Sequence, residues 1–220
     1  MTNLSNRAGL CRKQITLGVM ACIIAVELAL GGAELGLWGT GLWRMQAFAL
    51  FSFQPLLWEG AQAHGSNALW TGQPVAMLIT HIFVHVGFLH MLGNILPLAL
   101  LMRLLGWMRP RVFLGVGLVA ACTGALTFWA FAPAGNSMIG ASGAVSGLAA
   151  FWITWRLRQN PVRWKATAAG LILLGALTMV EVLPGVSTAW QTHLGGALAG
   201  AALSVWYKRP APRTAVVTRT

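Results

Sequence analysis

The sequence predicts an all-α integral membrane protein: six transmembrane helices and a long interfacial first outer loop. Three observations lead there. The 220-residue chain is 57% hydrophobic and only 9% charged. A soluble domain carries about a quarter charged residues, so this composition cannot clothe a water-exposed surface. The apolar residues form continuous windows near the roughly 20 residues of a spanning helix, not the alternating strands of about ten residues that build a barrel. The basic residues cluster where a six-span topology has its cytoplasmic loops.

Residues 1–14 hold Arg7, Arg12 and Lys13 and read as a cytoplasmic N-terminal segment. The first window, Ile15–Gly36, follows them. Its basic start mimics a signal peptide, but the run is too long and lacks a small-residue cleavage site, so a retained first span is expected. The outer loop runs from about Leu37 to Thr80 and contains 41-GLWRMQAFALFSFQPLLWEG-60. Arg44, Gln46, Gln54 and Pro55 interrupt this apolar stretch, which suits the interface better than a span. Trp38, Trp43, Trp58 and Trp70 suit headgroup depth. The other windows are Phe83–Leu105, Val112–Phe131, Ala141–Leu157, Ala166–Leu183 and Trp190–Trp206, the fourth span diluted by Gly and Ser. The membrane domain is thus 15–207. The basic tail 208–220, rich in Pro and Thr, is expected to be disordered.

Arg103, Arg109 and Arg111 fall between the second and third spans, and Arg156, Arg158, Arg163 and Lys165 between the fourth and fifth. With Lys208, Arg209, Arg213 and Arg219 they put both termini in the cytoplasm, leaving only Arg44 outside. Glu27 and Glu34 lie in the first span, Glu59 and Glu181 on the outer side. The net charge of +11 therefore reflects topology and anionic inner-leaflet lipid; no nucleic-acid module is present. Cys11, Cys22 and Cys122 lack metal-type spacing, so neither disulfide, metal nor cofactor is expected.

Polar residues inside a span are costly and by default functional. His85, His90 and Asn94 open the second span, Ser142 the fourth and His193 the sixth. Taken singly, each has a plainer reading. A membrane Ser bonds its own helix backbone, the reading kept for Ser146; a His snorkels; an Asn joins helices. Their clustering at one depth on three helices points to chemistry. His90 and Asn94 are i, i+4 and share a face. Gly143 with Gly147, and Gly196 with Gly200, are small-xxx-small pairs that let helices approach closely. Contact there would bring Ser142 within reach of His193. Gly31, in the first span, is expected to lie outside that interface.

These residues carry a resemblance. The chain resembles the rhomboid family of intramembrane serine proteases from about Thr80 to Gly200. The match comprises the H-x4-H-x3-N run His85, His90, Asn94; the G-x-S-G run Gly140, Ser142, Gly143; and the H-x2-G-x3-G run His193, Gly196, Gly200. The resemblance implies a six-helix bundle around a water-accessible cavity. It implies Ser142 as nucleophile, His193 as base, and His90 and Asn94 as oxyanion donors with the Ser142 backbone N–H. Three departures are visible. Ala76 and Met77 stand where the family often has Trp-Arg, with Trp43–Arg44 far upstream. The run 101-LMRLLGWMR-109 has no acid at the inner end of the second span. Ser146 stands where members commonly carry an aromatic ring.

Peptide hydrolysis needs an activated nucleophile, a proton shuttle and a stabilised oxyanion. No acid lies beside these motifs to orient His193, so a dyad is the economical reading. The implied activity is a serine endopeptidase of a bacterial inner membrane, acting on transmembrane protein substrates near the outer face. One rival is a catalytically inactive rhomboid-like escort protein, whose usual sign is loss of Ser or His. Another is a channel or transporter, which would need polar residues through the full depth of the bundle.

Overall fold

The computed structural model describes residues 2–63, 72–133, 135–159 and 189–208. Regular structure there is helical: α1 Thr2–Glu34, α2 Trp43–Phe51, α3 Pro55–Ala63, α4 Gln73–Thr80, a 3-10 turn His81–Phe83, α5 Phe88–Leu104, α6 Pro110–Phe131, α7 Ser142–Gln159 and α8 Trp190–Trp206. Strand-like pairing among the described residues is limited to one antiparallel bridge between Phe53 and Met138.

By length and composition, Thr16–Glu34 of α1 and Pro110–Phe131 of α6 can each cross a bilayer. The segments Gln73–Phe83 and Phe88–Leu104 qualify only as a pair, bent by 83° at their junction. α7 is diluted by Gly and Ser and α8 has 17 residues; neither qualifies alone. The fifth window, Ala166–Leu183, and most of the tail lie outside the described residues.

The third and fourth windows match α6 and α7 to within a few residues, and α8 coincides with its window, whereas α1 begins at Thr2, thirteen residues before the first window. The second window is offset. Its helix starts at Phe88 rather than Phe83, after the break Val84–Gly87. Val84 is extended at φ −107°, ψ 138°; β-branched Val84 and Val86 favour that conformation, and Gly87 is a poor helix former. His85 therefore lies in the break, not on the helix with His90 and Asn94 as the sequence suggested. Between α1 and the 3-10 turn, the described residues include the helices α2, α3 and α4, with a break at Ser52–Gln54 where Phe53 pairs with Met138. α6 starts cleanly because Pro110 occupies its first turn, where a missing N–H costs nothing.

Leu28, Leu89, Leu96, Leu118, Leu126 and Leu198 are exposed, an apolar surface suited to lipid rather than water. Among the described residues the largest buried cluster joins α5, α6 and α7 through Leu98, Leu101, Phe113, Val116, Leu148 and Phe151. It is closed below by Trp107 stacked on Trp155, ring centroids 4.1 Å apart. The candidate site residues lie toward the opposite end, beside a second apolar cluster of Phe53, Met77, Phe128 and Met138.

Candidate functional site

The approach to Ser142 is an extended segment tied down on both sides. Phe53 N donates to Met138 O at 2.9 Å and Met138 N to Phe53 O at 3.0 Å, while Gly140 N donates to His81 O at 2.8 Å. Gly140 has φ +102°, a region L side chains rarely adopt. A Cβ there would also lie 2.9 Å from His90 Cε1 and Nε2. Glycine is required twice over, for the turn and for the imidazole packed against it. Two residues later α7 begins with Ser142, which is 5% exposed. The first N–H groups of a helix have no intrahelical acceptor, so this end of α7 favours negative charge.

The rings of His85 and His90 meet edge to face, centroids 5.0 Å apart. Val86 N–H donates to His90 Nδ1 at 3.4 Å. That contact makes Nδ1 an acceptor, so neutral His90 carries its proton on Nε2, the atom beside Gly140. Asn94 is buried and its Nδ2 donates to His90 O at 2.9 Å. Among the described residues its Oδ1 is buried without a hydrogen bond. The reversed amide would set Oδ1 against the His90 carbonyl, so Nδ2 is the atom that faces it.

α7 and α8 pack in parallel through the predicted glycines. A Cβ on Gly196 would lie 3.2 Å from Gly143 Cα, one on Gly200 2.8 Å from Gly147 Cα, and one on Gly147 2.9 Å from Gly196 O. The register is the same at both pairs. Ser142 immediately precedes Gly143, and His193 sits one turn before Gly196 on the same face of α8. Helix register relates Ser142 to His193. Thr192, which the sequence did not single out, wedges between helices. Its Cγ2 is 2.9 Å from where a Gly143 Cβ would be, and its carbonyl oxygen 2.8 Å from that of Gly124. The signal for this was present in α6, where Gly117, Ala121 and Gly124 recur at helical spacing.

A family model described as Rhomboid domain matches residues 68–210. The chain belongs to the rhomboid family. No curated protein matches it. Rhomboids are typically intramembrane serine proteases, although some members are inactive; this one is a multi-pass membrane protein with an all-helical fold. The matched range holds every residue singled out above for the site: His85, His90, Asn94, Gly140, Ser142, Gly143, His193, Gly196 and Gly200.

One cluster of this rhomboid lies mostly outside that range and was missed in the sequence. Arg44, on α2, is 8% exposed. Its Nε donates to Glu34 Oε1 at 2.7 Å and Nη2 to Glu34 Oε2 at 2.9 Å. Nη1 and Nη2 donate to the two oxygens of Glu27, each at 3.0 Å. Nη1 also donates to the His85 carbonyl at 2.6 Å. Burial opposes the guanidinium charge, but the Glu34 and Glu27 carboxylates outweigh it and hold Arg44 above its ordinary pKa. Two acids that looked unconnected to the motifs thus reach the histidine pair through one arginine. Gly31 lies outside the α7–α8 interface, as expected, but beside this cluster: a Cβ there would be 3.9 Å from Arg44 Nη2.

Proposed function

We propose that this rhomboid is an active serine endopeptidase that cleaves transmembrane segments of membrane-protein substrates by a Ser142–His193 dyad. The observation that carries the reading is the parallel glycine packing of α7 on α8, which starts Ser142 and His193 from the same end of the bundle. His193 removes the Ser142 proton as Oγ attacks the scissile carbonyl carbon. The oxyanion forms near the Ser142 backbone N–H, His90 Nε2–H and Asn94 Nδ2–H, donors of the kind that stabilise acyl transfer. The C–N bond then breaks and His193 gives its proton to the leaving amine. Water, deprotonated by His193, hydrolyses the Ser142 ester and regenerates the hydroxyl. His85 and Gly140 support this arrangement by packing against His90; Gly143, Gly196 and Gly200 support it by bringing the helices together.

Ser142 is only 5% exposed, so an opening step precedes attack. The substrate must also present an extended backbone, which a spanning helix hides. Segments that unwind near the outer face are therefore the expected substrates. The same reading includes six spans over 15–207, the long first loop at the interface, cytoplasmic 1–14 and 208–220, and a bacterial inner membrane as the site of action. The apolar lower half of the bundle speaks against a channel.

Purified protein reconstituted with a single-span substrate tests the proposal against an inactive escort role. Wild type should cleave the substrate, while Ser142→Ala and His193→Ala, equally folded, should not. Substrate binding without cleavage by the wild type would make this chain an escort.

A further inference from the structure

We propose that Arg44 is a positioning residue that selects the tautomer of His90. The inference rests on the protease reading for its effect on turnover, though not for its structural core. A guanidinium has five N–H donors, and all five are used here. Four grip Glu27 and Glu34 in two forks, and the fifth reaches the His85 carbonyl. That carbonyl lies in the break Val84–Gly87, outside any helical ladder. The His85 C=O and the Val86 N–H belong to one planar trans peptide, so they point in opposite directions. Fixing the carbonyl toward Arg44 aims the N–H away from it, and that N–H meets His90 Nδ1 at 3.4 Å. His90 then keeps its proton on Nε2, beside Gly140 and two residues from Ser142.

The chain from α1 to the site is thus Glu27 and Glu34, Arg44, the 85–86 peptide, and the His90 ring. Lysine cannot replace Arg44, because an ammonium lacks the planar fork for two carboxylates and a carbonyl together. The acids alone cannot do it, since only Arg44 among these groups donates to His85 O. The device is absent from the positions where the family often carries Trp-Arg, here Ala76 and Met77. Arg44 supplies an arginine from a different helix.

The test uses the full chain. Arg44→Leu with Glu27→Gln and Glu34→Gln removes the arginine without stranding a buried carboxylate. Arg44→Lys keeps the charge and loses the fork. Nitrogen-15 spectra of histidine-labelled protein should show His90 as the Nε2–H tautomer in the wild type and as a mixture in both variants. With a transmembrane substrate, kcat should fall at least about tenfold, short of the roughly 10²–10³-fold that outright loss of an oxyanion donor costs because a mixture of tautomers keeps part of the donor, with KM little changed. A retained Nε2–H signature in either folded variant overturns the proposal. A shift of tautomer in a protein that cleaves nothing, even as wild type, would remove the protease reading and leave the positioning of His90 standing.

Discussion

Gly196→Val probes the helix contact on which the site depends. A Cβ at Gly196 would lie 3.2 Å from Gly143 Cα, 3.0 Å from its carbonyl carbon, and closer still to its oxygen. Unbonded heavy atoms rest well beyond about 3 Å apart, carbons at about 3.5–4.0 Å, so the oxygen contact sets the displacement and α7 and α8 must part by about 1 Å before the valine methyls are counted. The obstacle is backbone, and no rotamer change can relieve it. Overpacking of this kind costs about 1–3 kcal/mol. Between helices in lipid there is no hydrophobic drive to offset it. The rate should suffer more than the stability, because a misplacement of about 1 Å can cost a hundredfold. Reconstituted Gly196→Val should therefore show a lowered Tm and a kcat/KM reduced by about two orders of magnitude. Gly18→Val is the control, since a Cβ there meets nothing within 4 Å. Gly31 would be a poor control because it borders Arg44. Wild-type kcat/KM and Tm in Gly196→Val would mean that the helices do not meet at Gly196, and the register argument would fail.

Two further substitutions follow from the same geometry. Gly140→Ala adds a Cβ 2.9 Å from the His90 ring at a backbone φ of +102°; it should cost about 1–3 kcal/mol in thermal unfolding and lower kcat by displacing His90. Unchanged unfolding would show that the loop relaxes without cost. Asn94→Ala should lower kcat by about 10²–10³-fold, the usual loss for one oxyanion donor, with KM nearly constant. An equal fall in substrate affinity would instead make Asn94 a binding or packing residue.

The site was legible where it is built from period and punctuation. Gly143 with Gly147 and Gly196 with Gly200 sit at four-residue spacing, which marked each pair as a place where another helix could approach closely, and the structure packs the two pairs together. α8 was bounded correctly because a continuous apolar run has few ways to end. His85 was misplaced because a hydropathy window does not register the extended preference of Val84 and Val86 in an apolar stretch. Arg44 was noticed in the sequence as an interruption of the apolar loop, as half of a displaced Trp-Arg pair and as the lone outside cation, but never as a partner of the histidines. Its partners Glu27 and Glu34 precede it by 17 and 10 residues, and His85 follows 41 residues later, separations that no helical or strand period links. Thr192 was hidden for a similar reason: its role depends on glycines of two other helices, Gly124 and Gly143.

The central claim is that Ser142 is a nucleophile activated by His193. The most direct measurement is reaction of the reconstituted protein with a fluorophosphonate, followed by peptide mass mapping. The account predicts a single phosphonyl adduct on Ser142, absent in Ser142→Ala and formed far more slowly in His193→Ala. An adduct on another residue, or labelling of Ser142 at an undiminished rate in His193→Ala, would contradict it.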